Sequence, residues 1–361
     1  MAARPGLALC LGLTFRHPAW GLPIMLPEAP PEAPVLIDRF DRRVDYVRLS
    51  VTDRCDFRCL YCMGEDVRFL PRPEILTLEE LLELGRAFVA LGVRKIRITG
   101  GEPLVRRDLT WLLERLARLP GLDELTLTTN GSQLERLAQP LAAAGVNRLN
   151  VSLDSLRPER FRALTRVGEL GRVLAGLRAA RAAGFTRIRL NAVILEGRNA
   201  DEVVDLVAFA RTEGFDLAFI EEMPLGLVSS HVRAETFCPS AQIRAAISRR
   251  YPLWPIAESS GGPARYYRMA DSAIRVGFIS PHSQNFCAQC NRVRVTAQGQ
   301  LLLCLGQEHS ADLRAILRGQ PGDGEALRQA ILGAMARKPQ GHAFDLGARP
   351  QILRFMSHTG G

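Results

Sequence analysis

The chain has 361 residues, 47% of them hydrophobic, which is enough to bury a full core and to build one large domain plus a smaller one. Its 47 Lys and Arg against 38 Asp and Glu leave a net charge of +9, carried almost wholly by arginine because Lys95 and Lys338 are the only lysines. No disorder-like composition dominates the chain, and no apolar run reaches the roughly 18 residues that would span a bilayer.

Residues 1–34 differ from the rest. Arg4 precedes a short apolar run, Leu7 to Leu13, but with one positive charge and no A-x-A site this does not make a secretory signal. The proline-rich run from Pro23 to Pro34 predicts an extended segment, and Met25 is an alternative start to Met1. The expected organisation is an extended, disordered stretch at 1–38, a main domain at 39–254 and a C-terminal domain at 255–361.

From Tyr46 onward, short β-like runs alternate with helical ones. Strands are predicted at Tyr46–Val51, Arg94–Thr99, Glu124–Thr129, Arg148–Asp154, Arg187–Ile194 and Leu217–Glu221. Helices are predicted at Thr77–Leu91, Asp108–Leu119, Gln133–Ala144, Gly171–Ala183 and Ala200–Thr212, with Gly92, Gly145, Gly184 and Gly214 as stops. Such repetition implies a parallel α/β sheet, and six units fit an incomplete (βα)6 TIM-like barrel.

Within the strands, aliphatic residues alternate with cations. In a barrel wrapped by helices the aliphatic faces pack outward, which turns Arg48, Lys95, Arg97 and Arg189 inward. Unpaired inward cations cost several kcal/mol each, so an anion is expected between them. The alternative places these side chains at the rim, in water or paired to Asp154 and Glu221.

Ligands bind at the C-terminal ends of strands in such sheets. After the first strand comes Cys55-x3-Cys59-x2-Cys62, which presents three thiols from one loop with no fourth Cys or His nearby. Three thiolates suit three irons of a 4Fe-4S cube and leave one iron open. After the second strand comes Gly100-Gly101-Glu102-Pro103, whose glycines permit close backbone approach and whose Glu102 can accept from an ammonium group. The cysteine spacing, with Tyr61 before the third Cys, resembles the radical S-adenosylmethionine (SAM) superfamily. That resemblance implies an open iron that chelates SAM, reductive cleavage to a 5′-deoxyadenosyl radical, and a barrel of the radical SAM type.

Beyond residue 254 the rhythm stops. Cys287-x2-Cys290, followed by Cys304, again gives three thiols, and the spacing leaves two readings open: zinc completed by His282 or His309, or a second 4Fe-4S cluster with an open iron. Arg292 and Arg294 alternate with Val293 and Val295 beside it, a good match for phosphates.

The N-terminal C-x3-C-x2-C, the GGEP, the C-x2-C-N-R-x-R with a later Cys, and the terminal Gly360-Gly361 together resemble the GTP 3′,8-cyclase family of molybdenum cofactor biosynthesis, over Arg39 to Gly361. The resemblance implies a lyase that converts GTP to 3′,8-cyclo-7,8-dihydro-GTP, the radical being carried by the cofactor rather than by a side chain. It places one 4Fe-4S cluster on Cys55, Cys59 and Cys62 and a second on Cys287, Cys290 and Cys304 in a smaller C-terminal cluster-binding domain. It puts Tyr61, Gly101, Ser152 and Met223 at SAM positions, and Arg48, Arg97, Thr128, Arg189, Arg292, Val293 and Arg294 at GTP positions, with Gly360-Gly361 as a tail entering the site. It also implies an electron donor, a downstream cyclic pyranopterin monophosphate synthase, a cytoplasmic monomer or homodimer, and no nucleic acid or membrane partner. Two departures stand out: Arg189 replaces a frequent Lys, and the acidic Glu222 precedes Met223. The rival readings are another radical SAM enzyme with an auxiliary cluster and a basic zinc protein that binds nucleic acid.

Overall fold

A computed structural model describes residues 35–64, 67–226, 228, 231–347 and 352–360. Residues 1–34 of the expected extension, Met25 among them, lie outside the described residues, as does Gly361. Leu36 and Asp38, assigned to the extension from sequence, are buried against the rest of the chain.

Six parallel strands form the inner wall: β1 (Tyr46–Ser50), β2 (Lys95–Thr99), β3 (Glu124–Thr129), β4 (Arg148–Ser152), β5 (Ile188–Ile194) and β6 (Asp216–Glu221). Between them run α1 (Leu78–Ala90), α2 (Leu109–Ala117), α3 (Leu134–Ala143), α4 (Pro158–Thr165), α5 (Leu170–Ala182) and α6 (Val203–Glu213). The first helix starts on a reciprocal cap, in which the Glu80 amide donates to Thr77 Oγ1 and the Thr77 amide to the Glu80 carboxylate. All four glycines expected as helix stops have positive φ. The α4 helix was not foreseen; it begins on Pro158, a good first-turn residue, within a stretch too short and too charged to show clear periodicity.

The aliphatic strand faces pack outward as the alternation requires. Val47, Leu49, Ile96, Ile98, Leu127, Leu149 and Val151 are fully buried in one core with Leu81, Leu84, Phe88, Leu112 and Leu113 of the helices.

The C-terminal third extends the same sheet at both edges. After α7 (Arg233–Thr236) and α8 (Ser240–Ser248) come β7 (Trp254–Pro255), β8 (Arg265–Met269) and β9 (Ser272–Ile279), and β9 pairs in parallel with β6. The chain then crosses to the opposite edge, where β10 (Arg292–Val295) pairs in parallel with β1 and is followed by β11 (Gln300–Leu302) and β12 (Ser310–Asp312). Twelve strands thus run in the order β12-β11-β10-β1-β2-β3-β4-β5-β6-β9-β8-β7. The crossing segment, residues 280–291, carries Cys287 and Cys290 from one edge of the open barrel to the other. Three helices complete the chain: α9 (Leu313–Gly319), α10 (Gly324–Met335) and the short α11 (Met356–Thr359). No described helix is long and apolar enough to cross a membrane.

Candidate active site

The chamber inside the barrel begins with strand register. Arg294, Arg48 and Arg97 are lateral neighbours across β10, β1 and β2, so three guanidiniums share one level of the wall. Arg97 donates from Nη1 to Thr128 Oγ1 at 3.0 Å, and from Nε to the Tyr46 hydroxyl at 2.5 Å. On β4, Asn150 turns its amide oxygen to accept from Arg97 Nη1 at 2.8 Å and from Arg189 Nη2 at 2.5 Å. Arg189 also donates from Nε to Asn191 Oδ1 and from Nη1 to the Tyr266 hydroxyl at 2.7 Å, so each end of its fork is fixed. Tyr266 in turn donates its hydroxyl hydrogen bond to Ser260 Oγ at 2.9 Å.

Charge in this chamber is poorly balanced. Burial, with Arg294, Arg97 and Arg292 nearby, pushes Arg48 well below the usual guanidinium range, and burial beside Arg292 brings Arg294 down to about 10. Nε of Arg48 and Nε of Arg294 are buried without a hydrogen-bond partner. Orphaned donors on buried cations call for an acceptor that the protein does not supply. The chamber holds about 1020 Å³ including its mouth, and it is lined by Arg48, Arg97, Thr128, Arg189, Arg292 and Arg294 together with Cys287, Cys290, Cys304 and Met223. Val293 instead points its side chain into the apolar core, so any ligand would meet only its backbone.

Two expectations about the inward cations change. Lys95 lies at the start of β2, toward the base of the barrel, where it pairs with Glu124 at 2.6 Å and donates to Ser260 O. Asp154 and Glu221 do not take the chamber arginines. Asp154 accepts from Tyr61 and from the Val193 amide, and Glu221 from Ser240 and Ser283.

The first cysteine loop is held from below and behind. Its backbone donates from Arg58 and Leu60 to the carbonyls of Thr165 and Leu164 at the end of α4. Asp56 accepts from Asn130 and Ser132, and Asn130 also reaches Cys55 Sγ at 3.9 Å. The glycines of GGEP pack against this loop: a Cβ on Gly101 would lie 2.4 Å from Arg54 O, and one on Gly100 2.5 Å from Thr52 O. The close approach expected toward a ligand is therefore made first to the cysteine loop. Glu102 already accepts from Leu104, Thr129 and Asn130, and burial pushes its carboxyl up to about 8 against those hydrogen bonds.

All three thiols of the loop are free. Burial pushes each of them up, Cys62 to about 12, so three thiolates form here only around a cationic centre. The Ser357 amide of α11 points at Cys62 and partly offsets that burial. Beyond it, Gly360 is buried against Thr99, and a Cβ at Gly360 would lie 2.1 Å from Thr99 Cγ2, so only glycine fits. The described part of the tail therefore lies between the first cysteine loop and the end of β2. Of the remaining residues singled out from sequence, Tyr61 spends its hydroxyl on Asp154, and Ser152 and Met223 are half-buried at the ends of β4 and β6.

The second triplet has a partner that sequence did not reveal. Lys338, 1% exposed, directs Nζ at Leu303 O (2.7 Å) and Cys290 Sγ (3.7 Å). Burial would raise the Cys290 thiol, but Arg292 and Lys338 bring it down, while burial raises Cys304. Arg42, braced by Asp38 at 2.7 Å, binds the carbonyls of Cys287, Pro339 and Gln340. A Cβ on Gly341 would meet Cys287 Sγ at 3.3 Å. His282 is committed elsewhere, with Nε2 at Glu222 O and its ring against Phe237 and Phe344. Glu222 itself is paired with Arg233 at 2.9 Å, which explains the acidic residue beside Met223.

Tyr46 and Asn150 lie on the same strand faces as the predicted cations and were within reach of the alternation argument. Tyr266 and Lys338 are brought in from distant sequence and were not.

The family model for the radical SAM superfamily matches residues 49–210, and the model described as Molybdenum Cofactor Synthesis C matches residues 215–344. The chain is 63% identical to the GTP 3′,8-cyclase of Pseudomonas entomophila over 327 residues, covering 90% of this chain and 98% of that protein. It is 60% identical to the GTP 3′,8-cyclase of Pseudomonas syringae pv. syringae, covering 91% and 99%. Among solved structures, SuiB of Streptococcus suis bound to S-adenosylmethionine superposes with a TM-score of 0.57 at 16% identity, over 80% of this chain and 69% of that one, a likeness of fold alone.

Proposed function

We propose a complete site assignment from one established premise: this chain belongs to the GTP 3′,8-cyclase family of the radical SAM superfamily. It is accordingly a lyase that converts GTP to 3′,8-cyclo-7,8-dihydro-GTP in molybdenum cofactor biosynthesis, and family membership brings with it SAM and a 4Fe-4S cluster. In our assignment Cys55, Cys59 and Cys62 hold that cluster, with Tyr61, Gly101, Ser152 and Met223 around SAM. When bound, cluster and SAM supply the one-electron cleavage that produces a hydrogen-abstracting radical.

The chain's own residues bind and orient the nucleotide. Arg48, Arg97, Arg189, Arg292 and Arg294 receive the triphosphate, and Thr128 sits against Arg97 at the same level. Cys287, Cys290 and Cys304 hold a second 4Fe-4S cluster at the guanine end, with Lys338 and Arg292 offsetting thiolate charge. This arrangement sets the ribose between the two cysteine sites, so that positioning and exclusion of water are the protein's contribution to rate. The tail at Gly360 closes the site beside Thr99. An electron donor must supply the reducing equivalents, a downstream enzyme of the pathway consumes the cyclic product, and oxygen-sensitive clusters suit a cytoplasmic setting.

The observation that carries this reading is the set of orphaned guanidinium nitrogens on Arg48 and Arg294 beside the second triplet. The test is anaerobic reconstitution with iron, sulfide and zinc counts, followed by incubation with SAM, dithionite and GTP. The expected result is about eight irons per chain and GTP-dependent 5′-deoxyadenosine. About four irons plus one zinc would remove the second cluster from the assignment.

A further inference from the structure

One chamber residue has no part in the assigned nucleotide site. Tyr46 opens β1 two residues before Arg48 on the same strand face, and it is 3% exposed. Its oxygen accepts from Arg97 Nε, and its ring centroid lies 5.2 Å from Lys95 Nζ and 5.8 Å from the Arg97 guanidinium. Among the described residues, the charged groups that face it are cationic: Arg48 on its own strand, Lys95 and Arg97 on β2, and Arg292 and Arg294 on β10. The carboxylate of Glu124 is closed off by Lys95 and Arg148, and that of Asp45 accepts from Asn291. Tyr266, which holds Arg189 in the same way, differs in one respect. Its hydroxyl donates a hydrogen bond to Ser260, whereas no described residue accepts a hydrogen bond from Tyr46. Burial alone would raise the Tyr46 phenol, but Arg97, Arg48 and Lys95 outweigh it and bring it to about 7.

We propose that Tyr46 is a positioning residue that exchanges charge with the substrate: as phenolate it balances Arg97 and Arg48 in the free enzyme, and it takes up a proton from solvent when the triphosphate arrives as the new counter-anion. This rests on the assignment of GTP phosphates to the arginine chamber. The step is a simple protonation of oxygen, with no redox change. The resulting neutral phenol still accepts from Arg97 Nε, and its O–H is then available to donate to a phosphate oxygen. A device of this kind keeps the cation cluster folded without a permanent carboxylate, which would repel the triphosphate. It also makes binding proton-linked. Uptake on binding means that affinity falls as pH rises through about 7, the value of the free enzyme's Tyr46.

The experiment is titration calorimetry of GTP into anaerobically reconstituted enzyme, without reductant, in buffers of differing ionisation enthalpy at pH 6, 7 and 8, with wild type and Tyr46→Phe and with guanosine as the second ligand. Near pH 7 the wild type should take up about half a proton more per GTP than Tyr46→Phe. Its affinity should also fall more steeply than the variant's between pH 7 and 8, and guanosine should show neither difference. Equal proton counts and parallel pH curves in the two proteins, with GTP still bound, would overturn the charge exchange alone. Guanosine bound as tightly as GTP, or no GTP binding by wild type, would overturn the phosphate assignment and this inference with it. Should Tyr46→Phe fail to assemble, the wild type decides: no difference in proton uptake between GTP and guanosine would overturn the proposal.

Discussion

Two cations on one face of β2 end in opposite situations. Lys95 is closed into a triad with Glu124 and Arg148 at the base of the barrel, all three side chains no more than 15% exposed. Two residues on, Arg97 faces the chamber and has no carboxylate partner among the described residues: its neighbours are the Thr128 hydroxyl, the Asn150 amide, the Tyr46 oxygen and the guanidiniums of Arg48 and Arg189. Equal charge, equal burial and the same strand face therefore do not imply the same role. A buried cation with its own carboxylate serves the fold. One that lacks a carboxylate of its own is held in place for an anion that comes from outside.

Breaking the base should produce the largest effect, and it should appear in stability. Removing one member of a buried ion pair typically costs about 3–5 kcal/mol because the partners keep their charges. Glu124→Gln strands Lys95 and Arg148, so a large fall in denaturant midpoint is expected with KM for GTP little altered. The same site fixes a pH dependence. Burial would raise the Glu124 carboxyl, but Lys95 and Arg148 hold it below its ordinary value in the folded state. Its stabilisation is therefore complete above the unfolded-state value of about 4.3 and is lost as pH falls through the folded value. Thermal melts from pH 7 to pH 3 should show the wild type losing stability in the acid range and Glu124→Gln following a flatter course. Parallel curves would deny the triad its structural role.

Breaking the chamber should leave stability alone and appear in kinetics. Arg294→Ala removes a guanidinium whose Nε has no protein partner, so little folding energy is lost with it. A charge-assisted contact to phosphate is worth about 1.5–3 kcal/mol, which is a roughly 10- to 150-fold fall in kcat/KM, with iron content unchanged. Unaltered saturation kinetics would remove Arg294 from the substrate site and erase the distinction between base and chamber.

Much of this was legible in the chain, for identifiable reasons. A period of two fixes which face a residue occupies, so Arg48, Arg97 and Arg189 were found without any relative to compare. The same period says nothing of depth. Two residues along a strand are about 6.6 Å along its axis, enough to carry Lys95 from the chamber to the base. The close local spacing of each cysteine set made both visible, whereas Lys338 stands 48 residues from Cys290 and leaves no local pattern. The edge pairings of β9 with β6 and β10 with β1 are equally non-local. No local pattern therefore shows that the C-terminal third carries the barrel's sheet onward at both edges.

The smallest effect should come from the supports of the chamber arginines, and Tyr266→Phe isolates one. The substitution keeps the ring in its core packing with Ala218, Ala264 and Ile279 but removes the oxygen that accepts from Arg189 Nη1. Arg189 retains Asn191 and Asn150, so its position should loosen without being lost. A single such hydrogen bond contributes about 0.5–1.5 kcal/mol, and the expected change is a roughly two- to tenfold rise in KM for GTP with kcat nearly kept. The split between the two constants carries the information: a support acts on how the substrate is held, whereas general loosening of the barrel would lower kcat and the melting temperature together. A fall in kcat at constant KM would mean that the Tyr266 hydroxyl acts on the reacting end of the substrate, and the line between support and phosphate ligand would have to be redrawn through β8.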